Sequence, residues 1–127
     1  MKLSALLLLA SPSLAVAADF DTRVAQAQAA IGTREGYAYD MALVPAIHAA
    51  TVKCVPPGRA AARRADVFTA IATVDAGGRV SDVQVRPATP LALCFARQLG
   101  TLKLRPPPRP PRGHAGHPIL VQVRDRF

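Results

Sequence analysis

The chain reads as an α+β protein: N-terminal helices, then a β-hairpin–helix–strand unit with a three-stranded antiparallel sheet. Three observations predict this. Two β-rich runs, residues 67–74 and 79–85, flank Asp75-Ala76-Gly77-Gly78, a glycine-bearing turn of hairpin length. Leu91, Phe95 and Leu99 then recur at helical spacing and stop at Gly100, a natural helix C-cap residue. A last apolar run over residues 118–123 supplies the third strand.

The first element is read as a cleavable export signal over residues 1–18. Met1-Lys2 is a short positive n-region and residues 3–10 are apolar. Ser11-Pro12 is expected to break any helix there, and Ala15, Ala17 and Ala18 form an A-x-A-like cleavage site. The 16 uncharged residues 3–18 would span about 24 Å as a helix, short of a hydrocarbon core of about 30 Å. No cysteine follows the apolar run for a lipid anchor, and no later segment is long enough to span a membrane. The expected location is periplasmic or secreted.

Residues 19–58 form a helical N-terminal segment. Phe20, Val24, Ala27 and Ile31 mark a first helix ending at Gly32, and residues 33–36 are a connector. A second helix is predicted over residues 37–53, where Tyr37, Met41, Val44, His48, Thr51 and Val55 keep one stripe, with Ile47 and Cys54 beside it. His48, on that stripe, is expected to be partly buried. Pro45 either kinks the helix or starts its second half. Val55-Pro56-Pro57-Gly58 ends it, and residues 59–65, with Arg59, Arg63 and Arg64, form a basic connector or short helical turn. In the second β-run Val80, Asp82 and Gln84 alternate with Ser81, Val83 and Val85, which leaves the buried face open. Thr89 or Pro90 opens the third helix, over 91–99, and Leu102 and Leu104 predict a short extended stretch.

Cys54 and Cys94 are the two cysteines. In an oxidising compartment an even pair reads as one structural disulfide. By loop entropy it would contribute roughly 4 kcal/mol, useful to a small domain with few aromatics and no Trp. The bridge would make the second and third helices neighbours on one face of the sheet. The spacing is far from C-x-x-C, so redox catalysis is not expected.

The formal charge is +8 and lopsided. Residues 19–52 carry Arg23 and Arg34 against Asp19, Asp21, Glu35 and Asp40, whereas residues 53–127 carry 13 basic and 4 acidic side chains. Eleven of those 13 are Arg, a composition that high-GC coding also produces. A basic face outside the cytoplasm meets anionic envelope polymers, lipid headgroups or acidic protein patches. Arg105, Arg109 and Arg112 punctuate a proline-rich segment, 105–112. In polyproline II, Arg109 and Arg112 share a face, making a stiff cationic rod a candidate for anionic partners. Few aromatics are present to stack bases, so nucleic acid is not an expected partner.

No residue pattern supports an enzyme or a cofactor. Ser81, the one Ser beyond the leader, lacks a nucleophile-elbow context. Asp75 and Asp82 flank a turn and read as turn and surface residues. His114 and His117 form H-x-x-H, but no Cys, Asp or Glu lies near to complete a metal site, and flanking glycines make this a solvated loop.

Residues 66–125 resemble the C-terminal domain of TonB-type energy transducers. The resemblance is carried by the strand 67–74, the Asp75-Ala76-Gly77-Gly78 turn, Gly78-Arg79-Val80-Ser81-Asp82-Val83-Gln84-Val85 as a "G-x-V-x-x-V-x-V" strand, the helix, Leu102-Lys103-Leu104-Arg105-Pro106, and the last strand over 119–123. Pro87-Ala88-Thr89-Pro90 stands where relatives carry a Ser-Ser-Gly-like turn, and leucines replace the aromatics after the helix. A long proline-rich spacer and a retained anchor are missing, so the resemblance implies a fold and a binding module, not energy transduction. The expectation is a non-enzymatic protein-interaction module of the cell envelope, pairing an exposed sheet edge with an envelope protein or a second copy. The alternative is a cationic binder of anionic envelope polymers through residues 105–112.

Overall fold

The computed structural model describes residues 12–55, 67–110 and 114–124. Three helices and three strands follow in the order α1 (Pro12–Ile31), α2 (Arg34–Val52), β1 (Phe68–Val74), β2 (Val80–Arg86), α3 (Pro90–Gly100) and β3 (His117–Val123). The α+β architecture is the one the sequence predicts. Residues 1–11 of the expected signal, the basic connector 59–65 and Arg112 lie outside the described residues.

α1 starts earlier than the stripe suggested. Pro12, expected to break any helix, is itself helical. The residues expected to be a connector, 33–36, instead begin α2. Thr33 is its N-cap, with Oγ1 accepting from Gly36 N–H at 3.0 Å and donating to Ala30 O at 2.8 Å. A Cβ on Gly36 would stand 1.8 Å from Ala30 O, so glycine alone lets the two helices turn this sharply.

The sheet order is β2-β1-β3, all antiparallel. β1 is central and covered on both faces. Phe68, Ala70, Ala72 and Val74 point into the main core with α2 and α3, where Phe68 meets Phe95 with ring centroids 5.4 Å apart. α1 lies on the other face, where Arg23 donates to Thr73 Oγ1 and the Arg86 guanidinium stacks over Phe20. Phe20, Ala27, Ala30 and Ile71 are buried on that side.

β2 pairs with β1 through a bulge. Ile71 faces Gln84 and Thr73 faces Ser81, so β2 carries one extra residue there. Asp82 absorbs it with φ 52°, a conformation a short polar residue tolerates. The extra residue switches the side-chain parity. Val80, Val83 and Val85 therefore all face the core, although strict alternation would put Val80 opposite the other two.

Gly78 closes the hairpin with φ +87°. Its carbonyl accepts from Leu104 N–H at 2.8 Å, and Lys103 pairs with Arg79 in an isolated bridge. This is the extended stretch expected around Leu102 and Leu104. α3 is capped by Thr89, whose Oγ1 accepts from Ala92 N–H at 3.1 Å.

Cys54 and Cys94 form the expected disulfide, with a Cα–Cα distance of 5.8 Å. It ties the chain just beyond α2 to α3, and both helices pack on one face of the sheet. No helix among the described residues is long and apolar enough to cross a membrane.

Candidate functional site: a groove beside the sheet edge

α2 runs alongside β3 and leaves a groove of 430 Å³ between them. Asp40, Leu43, Val44, Ile47, His48 and Thr51 form the helical wall, and residues 119–123 of β3 with Arg124 just beyond it form the other. Local chemistry sets this course. The Tyr39 hydroxyl donates to Arg105 O at 2.8 Å, and its ring meets the His117 ring edge-on at 5.0 Å. The ring contact sets α2 against the start of β3, and the hydrogen bond ties it to the connector that follows α3. Thr51, buried, satisfies its hydroxyl on Ile47 O at 2.9 Å.

β3 is an edge strand. All seven residues pair with β1 in unbroken register, from Phe68 opposite Val123 to Val74 opposite His117. On its outer side no described residue pairs with it. The opposite edge is different. β2 is bent by the bulge at Asp82, is bridged near its start by Lys103, and runs into Pro87. Bulges and prolines are the features that blunt an edge against pairing; β3 carries Pro118 near its start, so its proline-free edge is residues 119–123.

The groove carries a charged residue at each end and mainly aliphatic residues between them, with His48, Thr51 and Gln122 as the polar members. Asp40 stands near the His117 end, Arg124 at the other. Burial pushes the Asp40 carboxyl above the usual carboxylate range, partly offset by His117. Burial holds His117 below the ordinary histidine value, and Asp40 opposes that shift. The Tyr39 phenol is pushed up to about 12 by burial.

The other expected residues fall into different places. Arg105 and Arg109 are exposed on an extended connector between α3 and β3, and neither has a carboxylate within ion-pair distance among the described residues. His117 is no loop residue: it is the first residue of β3 and is buried against Tyr39. His114 lines a separate cleft with Arg23, Gln26 and Thr73 on the α1 side. The two histidines thus serve opposite faces of the sheet and do not converge, and no group of three metal-ligating residues occurs among the described residues.

His48 is exposed rather than partly buried, because the stripe it belongs to faces outward from Tyr37 to His48 and only its later member Thr51 is buried. Tyr37, Met41, Val44 and Val52 are 51–56 % exposed, while Tyr39, Leu43, Ala50 and Thr51 turn inward. Two apolar stripes share this helix, and periodicity alone does not say which one meets the core. Asp75 is a turn residue as expected: its Oδ1 accepts from the Gly77 and Arg79 N–H groups at 3.0 and 2.9 Å. Ser81 is exposed on β2.

Sequence reasoning missed Asp40 and Tyr39. The available signal was Asp40 itself, the last charge on α2 before the uncharged stretch 41–52. No known protein family, curated protein or solved structure matches this chain.

Proposed function

We propose that this chain is an exported, non-enzymatic protein-interaction module of the cell envelope, periplasmic or secreted, whose partner adds a strand to the outer edge of β3. The observation that carries this reading is the contrast between the two sheet edges. β3 keeps unbroken register with β1 and, beyond Pro118, offers residues 119–123 as a proline-free edge beside a ready groove, whereas β2 is bulged and bridged. Main-chain pairing supplies affinity in such a mode, and pockets for alternate side chains supply choice of partner. Here Leu43, Val44 and Ile47 supply apolar walls.

The disulfide supports export, since such bridges persist in oxidising compartments. The hairpin–helix–strand order and the Asp75–Gly78 turn are the grounds for proposing a relationship to the TonB C-terminal domain. Within that reading the partner is an extended segment of an envelope protein.

Photo-crosslinking tests it. A photoreactive amino acid at Gln122, exposed on β3, should trap a partner from envelope extract, and the same group at Ser81 on β2 should not. The yield should change little with salt, because backbone pairing carries no net charge. Trapping from Ser81 alone would overturn the proposal. A yield that collapses with salt would favour the second reading, binding of anionic polymer through Arg105, Arg109 and Arg112, which the exposure of Arg105 and Arg109 supports.

A further inference from the structure

The two walls of the α2/β3 groove are matched in length. Asp40 to Thr51 is about 16 Å of helix, and residues 119–124 are about 17 Å of extended chain. A strand added at the edge pleats in step with β3, so side chains across the new ladder turn the same way. Ile119, Val121 and Val123 face the core that α2 covers. An added strand therefore sends every second side chain towards α2. A segment of about five residues, with its first, third and fifth side chains turned inward, fills the groove from end to end.

The three inward positions meet different chemistry. Asp40 is half-buried, and no cation lies within ion-pair distance of it among the described residues. Burial raises its pKa, the mark of a carboxyl without a compensating positive charge. Arg124, at the other end, is exposed and donates to Gln122 Oε1 at 3.3 Å. Between them stand Leu43, Val44 and Ile47, and Val44 is 51 % exposed. A complementary ligand sets a cation at the Asp40 end, an aliphatic side chain in the middle and an acid at the Arg124 end.

The sheet supplies a direction. Both of its pairings are antiparallel, and antiparallel ladders are slightly more stable per residue than parallel ones. Run that way along β3, a partner segment meets Arg124 first and Asp40 last.

We propose that the partner segment reads acid-x-aliphatic-x-base and lies antiparallel to β3, with its Asp or Glu on Arg124 and its Lys or Arg on Asp40. This rests on the edge-strand reading and adds to it the sequence that the groove selects. The Asp40 end contributes more than the Arg124 end, because a half-buried ion pair is screened less than an exposed one.

Fluorescence anisotropy of dye-labelled peptides with the purified, disulfide-intact chain tests it. Glu-Thr-Ile-Thr-Lys, blocked at its C-terminus, should bind about tenfold more tightly than Glu-Thr-Ile-Thr-Gln. Its advantage over Gln-Thr-Ile-Thr-Lys should be smaller, about two- to fivefold. Asp40→Asn should abolish the first preference and keep the second, and Arg124→Gln should do the reverse. A photoreactive group at Gln122 should trap all three peptides. Equal binding of the three, each trapped at Gln122, leaves edge pairing standing and overturns the proposed selection. Tighter binding of Lys-Thr-Ile-Thr-Glu overturns it as well, since the order of charges would then be the opposite one. If no peptide binds and none is trapped at Gln122, the edge-strand reading itself fails, and this inference with it.

Discussion

The Arg23 guanidinium on α1 donates to the carbonyl oxygen of Asp82 at 2.7 Å, the residue in β2 whose φ is 52°. The same Nη2 reaches Thr73 Oγ1 at 3.3 Å, on the strand opposite. One side chain thus spans the bulge and holds the carbonyl that the left-handed turn aims out of the ladder. The bulge makes the acceptor, and α1 supplies the donor.

Asp82→Asn should therefore be almost silent, within about 0.5 kcal/mol, since asparagine tolerates the left-handed region and the bonded group is backbone. Asp82→Val should cost roughly 1–2 kcal/mol from the disfavoured φ. Arg23→Ala should cost about 1 kcal/mol. Urea titration of the three variants measures all of this, and equal effects of Asn and Val would show that the conformation at residue 82 is not what matters.

The hairpin turn should respond to one glycine and not the other. A Cβ at Gly78 would lie 2.0 Å from Leu104 O, on a φ of +87°, whereas Gly77 has ordinary contact distances and no positive φ. Gly78→Ala should destabilise by about 2 kcal/mol or more, a fall of roughly 4–8 °C in Tm per kcal/mol for a small domain. Gly77→Ala should stay within about 0.5 kcal/mol. Thermal melts of the pair decide it.

Reduction should weaken the fold substantially. The bridge joins residues 40 apart in sequence, and the loop-entropy estimate for that separation is about 4 kcal/mol. Cys54→Ser with Cys94→Ser should lower the unfolding free energy by roughly 2–4 kcal/mol, and alkylation of the denatured, unreduced protein should find no free thiol. Labelling at either cysteine would contradict the bridge.

Stability should fall as pH drops below neutral. Burial holds the His117 pKa below its ordinary value of 6.5, so the unfolded chain takes up the proton first. The contribution is whole above the unfolded pKa and is lost as pH falls from there through the folded pKa. Asp40 acts in the opposite sense: its pKa is raised from 3.8, so its contribution is present below that value and lost as pH rises through the raised one. Melting curves from pH 7 to pH 5 should therefore show a decline in Tm that is smaller in His117→Gln. An unchanged slope in that variant would assign the pH dependence elsewhere.

The arginines of the proline-rich connector should matter to binding alone. Arg105 and Arg109 are exposed, so replacing them and Arg112 with Gln should leave Tm within a degree or two, the usual scale of surface substitutions. Retention on heparin should fall. Unfolding of the triple variant would make these side chains structural, and unchanged retention would exclude them from polymer binding.

What the sequence revealed and what it hid follow from the range of the forces involved. The hairpin, α3 and the disulfide were legible because turn glycines, a Thr–Pro cap and cysteine parity are local signals. The orientation of α2 was not. Tyr37, Met41, Val44 and His48 make as good a stripe as Tyr39, Leu43 and Ala50, and only the placement of β3 and α3 chooses between them. The parity of β2 was hidden for a similar reason, since a single extra residue at Asp82 moves Val80 to the same face as Val83 and Val85. The groove was beyond reach because its walls, α2 and β3, stand far apart in the chain and meet through Tyr39 and His117.

The Cys54–Cys94 bond closes a covalent ring that contains β1, β2 and the first part of α3, Pro90 to Cys94, and leaves β3 outside it. A peptide bond cut between the two cysteines still leaves one covalently joined molecule. A cut in the connector between α3 and β3 does not: it leaves β3 attached by ladder bonds and side-chain packing alone. The strand that presents the open edge is thus the one strand the molecule can release, or exchange with another copy, without breaking its ring.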